Sequence, residues 1–249
     1  MLQAALNGSR TAAEHPAVPR SPEEVARKAR AAAAAGADVL HIHVYDEEGH
    51  ETLAAEPTAA ALAAVRTAVP GVPVSLSTSA DIEPDPARRL ALVAGWSALP
   101  DLVTANQGEP GIVELCELLL RRGVGIEAGL LVAANAEAFA ATGLAERCVR
   151  AMVEPLEPDA DAALAQAAAI EEGLARAKIR LPQVHHGDGV SSWAVNERAA
   201  SRGHGIRTGL EDTTVLPEGS RAADNAELVR AAREILSRHR ARTSVGGER

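Results

Sequence analysis

Eight times along this chain a short run rich in leucine or β-branched residues is followed by a longer Ala/Glu/Arg segment of helical period. The strand-like runs fall at 2–7, 38–44, 72–78, 102–105, 123–130, 148–154, 182–187 and 204–210. The helix-like segments fall near 21–35, 57–68, 85–98, 110–122, 134–142, 159–177, 191–201 and 223–238. Parallel strands need a crossover between them, and a helix supplies it. Alternation carried through eight units therefore predicts an α/β fold, a (β/α)8 TIM barrel in a single domain over 1–249, with a polar C-terminal tail from about 242. An open doubly wound sheet would show the same local pattern. The first loop, Asn7-Gly8-Ser9-Arg10, has one glycine instead of a Gly-rich dinucleotide turn, which favours the closed barrel. Punctuation agrees: Ser21-Pro22-Glu23-Glu24 reads as an N-cap, a first-turn proline and a capping acid, and Ala35-Gly36 and Arg122-Gly123 read as helix stops.

Composition narrows the function classes. The 249 residues carry 34 acidic against 25 basic side chains, a formal charge of −9. A surface of that sign repels phosphate, and there is no block of Lys and Arg to offset it locally, so nucleic acid and anionic membranes are excluded as expected partners. The Ala-rich runs are broken by charges well before the ~20 apolar residues that span a bilayer. Leu2 to Leu6 reads as a strand and not as an export signal. Aromatic residues make up only 2%, so the core must be aliphatic, built from small-residue helices packed closely. Cys116 and Cys148 lack metal or redox spacing, which predicts two core fillers and a reducing, cytoplasmic setting.

In a barrel of this kind chemistry gathers at the C-terminal ends of the strands, so polar groups there are informative. His41-Ile42-His43 closes the second strand, and alternate strand residues face the same side, a spacing that suits two ligands of one Zn2+ or a hydrogen-bonded histidine pair. Asp46 follows as a partner to that pair or as part of the Asp-Glu-Glu-Gly turn. Arg207-Thr208-Gly209-Leu210-Glu211-Asp212 ends the eighth strand. Glu211 is a candidate third ligand, leaving open positions for substrate, and Asp212 with Arg207 a candidate acid/base or anchoring pair; a helix-initiating acidic turn is the plainer reading. Ser77, Thr104, Asn106 and Glu127 place hydroxyls, an amide and a carboxylate where they can hold a carboxylate or carbonyl, or serve as caps and turns. His185-His186-Gly187-Asp188-Gly189 offers a fourth ligand, a cofactor contact, a phosphate-receiving loop or a satisfied turn histidine.

The runs AALNG, SPEE, AGADVLHIHVYDEEG, SLSTS, VTAN and IRTGLEDTTVLPEGSRAADNAELV together resemble the β-keto acid cleavage enzymes, over about Leu2 to Ser237. The most specific parts are the H-x-H strand end and R-x-G-L-E-D followed by D-N-A-E-L-V. The resemblance implies a barrel holding one Zn2+, or another divalent transition ion, on His41, His43 and Glu211, within a homo-oligomer such as a dimer or tetramer. It implies a reaction in which a β-keto acid condenses with acetyl-CoA as co-substrate and splits to acetoacetate and a new acyl-CoA. Asp212 and Arg207 would take the proton from the carbon between the keto and carboxylate groups, and Ser77 and Thr104 would bind the carboxylate or acetoacetate portion.

Several positions depart from the family pattern. Tyr45 stands where relatives often carry arginine, which removes an anion contact or replaces it with a phenol. Arg10 stands where some carry a carboxylate that reads a substrate amine, pointing to an anionic or neutral acyl tail. The fifth strand has Glu127 followed by Ala128 and Gly129, where relatives can show two alternating acids. The chain is also shorter around its sixth and seventh units. Two other classes stay in view. A metal-dependent hydrolase of the amidohydrolase type would want histidines on the fifth and sixth strands, and these have none. A barrel that binds metal or ligand without turnover is the other.

Overall fold

The computed structural model describes residues 1–246. The strands are β1 Leu2–Ala5, β2 Val39–Ile42, β3 Val74–Ser77, β4 Leu102–Asn106, β5 Gly125–Leu130, β6 Arg150–Val153, β7 Gln183–His185 and β8 Gly205–Thr208. Each is followed by its helix: α1 Pro22–Ala34, α2 Ala55–Ala68, α3 Pro86–Ala94, α4 Ile112–Arg121, α5 Ala133–Thr142, α6 Ala160–Arg176, α7 Ser192–Ser201 and α8 Asn225–Gly246. All strand pairs are parallel, in sequence order, and β8 pairs back onto β1, so the sheet is a closed barrel and not an open one. The polar stretch expected from about Arg242 continues α8 as far as Gly246; positions 247–249 lie outside the described residues.

Local chemistry accounts for the element ends. Ser21 caps α1 with the full reciprocal box, its hydroxyl taking the Glu24 N–H while the Glu24 carboxylate takes the Ser21 N–H. Helix and barrel meet through small side chains: Ala29, Ala32, Ala136, Ala167 and Ala232 are all buried without remainder. With so few rings available, Trp96 and Phe139 are the largest fully buried apolar side chains. Cys116 and Cys148 are buried free thiols, and burial pushes them up to about 12 and about 11, which makes them inert fillers. Among the described residues no helix is long and apolar enough to cross a membrane.

Closure at the β8–β1 seam depends on Gly209. A Cβ there would lie 1.8 Å from the Ala5 carbonyl oxygen and 2.6 Å from its carbon, and neither backbone atom can step aside. Gly209→Ala is therefore expected to cost stability at or above the top of the ~1–3 kcal/mol usual for overpacking, read as a lowered urea midpoint. An unchanged midpoint would contradict this account of the seam.

Candidate active site and metal centre

The C-terminal ends of the strands surround a cavity of about 470 Å³, a size that suits a small ligand. His41 and His43 reach it from the end of β2, Ser77 from β3, Thr104 and Asn106 from β4, and Arg207, Glu211 and Asp212 from β8 and the turn after it. Arg10, on the loop after β1, lines it as well.

Three of these side chains converge on one point. His41 Nε2 lies 3.7 Å and His43 Nε2 3.4 Å from Glu211 Oε1, and the three ligand atoms lie within 4.8 Å of one another. Tetrahedral bonds of ~2.0–2.2 Å put neighbouring ligands about 3.3–3.6 Å apart, so this set fits a divalent ion of the zinc class. The far side of each imidazole is arranged for the same role. His43 Nδ1 meets the Glu51 carboxylate in a very short contact, and His41 Nδ1 meets Ser75 Oγ at 3.2 Å. The Ser75 hydroxyl donates in turn to Glu127. With Nδ1 of each ring engaged on its outer side, Nε2 is the nitrogen turned toward Glu211, the outer arrangement that fixes metal-binding histidines. Glu211 Oε2 is buried with no hydrogen-bond partner.

Electrostatics agree with a site that expects a cation. Burial drives His41 well below its ordinary value, keeping it neutral. Burial also opposes charge on His43, but the Glu211 and Glu51 carboxylates on either side outweigh it and raise it to about 10. An incoming metal must therefore displace a proton from His43. Burial works against ionisation of Glu211 too, yet the Arg207 guanidinium and the two histidines hold it well below the usual carboxylate range.

Arg207 organises the neighbouring acid. It is 3% exposed, and its Nη2 donates to Asp212 Oδ1 at 2.7 Å and to Glu211 Oε1 at 2.6 Å, with Nε 3.2 Å from both Asp212 oxygens. Burial raises Asp212 despite that guanidinium. Adjacent carboxylates are thus pushed apart, one held as an anion and one lifted toward proton-accepting range, a pattern that separates ligand from base.

Several expected roles change once depth is known. Glu127 does not line the cavity. It is fully buried inside the barrel, bonded by Gln3 Nε2 at 3.0 Å and by Ser75, with Arg150 Nε at 3.2 Å, so its place is behind His41 and not against substrate. Ser75→Ala cuts that link and is expected to weaken metal affinity about 10–100-fold, measured by chelator competition; wild-type affinity would contradict the role. Arg10 lines the cavity, but its Nε donates to the Leu210 carbonyl at 2.6 Å and its Nη2 to the Glu211 carbonyl at 3.1 Å, so it braces the turn that carries Glu211. Tyr45 does not supply an anion contact: its hydroxyl donates to the Gly8 carbonyl, and Arg20 lies over its ring at 4.0 Å. Asp46 belongs to the turn, its Oδ1 taking the His50 N–H at 2.7 Å.

The two adjacent histidines at the end of β7 part company. His185 faces outward into the helix layer, stacked on His204 and 3.6 Å from Glu171. These three could be taken for a second cation set, but Glu171 is already held by Arg198 at 2.7 Å and Arg202 at 3.2 Å. Two guanidiniums leave no room for a further positive charge. His186 faces inward, 3.4 Å from Asp212 Oδ1 and 3.2 Å from Glu154 Oε2. Glu51 and Glu154 were not singled out from the sequence. The Tyr45–Glu51 bridge shows what brings Glu51 in: the Asp46–Gly49 turn folds the chain back beside His43.

A family model described as beta-keto acid cleavage enzyme matches residues 1–155 and 184–244. The chain belongs to that family. The unmatched stretch contains α6. Within the beta-keto acid cleavage enzymes, the chain is 38% identical over 79 residues to a 3-keto-5-aminohexanoate cleavage enzyme of Fusobacterium nucleatum subsp. nucleatum, and 35% identical over the same number to one of Acetoanaerobium sticklandii. Each alignment takes in 31% of this chain and 29% of the relative, so the matched part spans less than a third of those proteins' length. Among solved structures, the apo structure of ObcA superposes with a TM-score of 0.69 at 19% identity, over 88% of this chain and 61% of that one. The 3-dehydroquinate dehydratase of Aquifex aeolicus gives 0.58 at 12% identity, over 96% and 98%. At such identities both show the barrel and nothing finer.

Proposed function

We propose that this chain cleaves a β-keto acid by condensing it with acetyl-CoA, releasing acetoacetate and a new acyl-CoA. The observation that carries the reading is the convergence of His41, His43 and Glu211 at one cavity with the Arg207–Asp212 pair beside them. His41, His43 and Glu211 would hold Zn2+ or a similar divalent ion, which when bound supplies Lewis-acid polarisation of a keto oxygen. Asp212 takes the proton from C2, the carbon between keto and carboxylate groups, while Arg207 holds the carboxylate of Asp212 in line. The C2 carbanion attacks the acetyl thioester carbonyl and expels the CoA thiolate. The thiolate adds to the C3 carbonyl, the C2–C3 bond breaks, and acyl-CoA leaves. The electron pair stays on the acetoacetate fragment, which regains its proton from Asp212. Ser77 and Thr104 offer hydroxyls and Asn106 an amide at the same rim for the substrate carboxylate.

The setting is part of the proposal: a cytoplasmic homo-oligomer, dimer or tetramer, in support of which Val132, Leu156 and Val190 stand exposed on three consecutive rim loops. The test is direct. Purified protein loaded with Zn2+ is given acetyl-CoA and a panel of β-keto acids, and acetoacetate is assayed. Release that requires the thioester supports the reading; cleavage without any CoA thioester, or silence across the panel, overturns it.

A further inference from the structure

Gly129, on β5, leaves a space in the cavity wall that two neighbours fill. A Cβ at this position would stand 2.4 Å from Asn106 Oδ1 and 2.9 Å from Glu154 Oε1. Glu154, the residue after β6, therefore owes its place to the missing side chain on the adjacent strand. It is 7% exposed and lines the cavity. Its two oxygens differ. Oε2 lies 3.2 Å from His186 Nε2, and the other nitrogen of that ring lies 3.4 Å from Asp212. Oε1 is buried with no hydrogen-bond partner.

A buried carboxylate oxygen without a donor is costly, and no protein group here offsets that cost for Oε1. Its complement must come with the ligand. Resting on the reading that this cavity takes a β-keto acid, we infer that Glu154, admitted by Gly129, is a specificity-determining residue that selects acyl tails carrying a hydrogen-bond donor, a hydroxyl or an ammonium. His186 lies between Glu154 and Asp212, so the tail contact and the proton-accepting group share one wall. Arg10 does not oppose this assignment, because its guanidinium is committed to the Leu210 and Glu211 carbonyls.

The test compares six-carbon 3-keto acids with hydrogen, hydroxyl or ammonium at C5 or C6. Dissociation constants are measured by calorimetry on the Zn2+-loaded protein without acetyl-CoA, then turnover with it. Wild type is expected to bind a donor-bearing acid about 10–100-fold more tightly than the unadorned one, and whether hydroxyl or ammonium wins identifies the donor. Glu154→Leu should erase the preference without loss of bound metal. Glu154→Gln, which keeps the shape, should lose any ammonium preference and keep part of a hydroxyl preference. Equal binding of all the acids by wild type, or a preference that survives Glu154→Leu, overturns the inference. A Glu154-dependent preference without acetoacetate release would leave it standing and defeat the reaction instead; release from the unadorned acid without any preference would do the reverse. If none of the acids binds, both fall.

Discussion

Asp212→Asn is expected to retain its divalent ion and lose between about 10² and 10⁴ of its turnover, the range that a positioned general base contributes. The substitution keeps the size and planarity of the side chain. It removes the anion that Arg207 holds at 2.7 Å, the group proposed to accept the C2 proton. The proposed metal set does not include this residue: His41, His43 and Glu211 are the side chains that converge. Metal content by elemental analysis and initial rates on the same preparation therefore separate the two roles. Should Asp212→Asn lose the ion, the division between ligand and base would be wrong.

His43→Ala should do the opposite and strip the site. Its Nε2 is one of three converging donors, and the variant also leaves Glu51 and Glu211 as two half-buried carboxylates with no imidazole between them. Loss of a direct ligand is expected to weaken metal binding by more than the ~10–100-fold that losing an outer partner costs, so His43→Ala should fall below Ser75→Ala in a chelator titration. Near wild-type affinity in His43→Ala would exclude this ligand set.

How much of this could be read from the sequence follows from what kind of information each feature needs. The eightfold strand–helix alternation, the Ser21 capping box and the glycine stops are local, and the structure has them at those positions. The histidine pair was legible because strand alternation puts residues 41 and 43 on one side, and the acidic pair because a strand cannot absorb two adjacent carboxylates without a purpose or a turn. Depth was not legible. Glu127 sits three residues before the end of β5, level with Thr104 and Arg150, and only the register of a tilted sheet tells that it lies inside the barrel behind Ser75. Glu51 reaches His43 through a turn closed by tertiary pairing. Glu154 needed knowledge of what is absent from the neighbouring strand, which no pattern within its own segment records. Closure itself was ambiguous from alternation and is decided at the seam where Gly209 passes Ala5.

The ligand set straddles that seam, with β1 lying between the strand that carries the histidines and the one that precedes Glu211. A nascent chain still short of β8 would already hold seven of the eight staves and both imidazoles, yet it would lack the carboxylate that completes the set. Loading with the proposed ion would therefore follow synthesis of β8, and a bound cation would serve as a clasp joining the end of β2 to the turn after β8, segments far apart along the polypeptide.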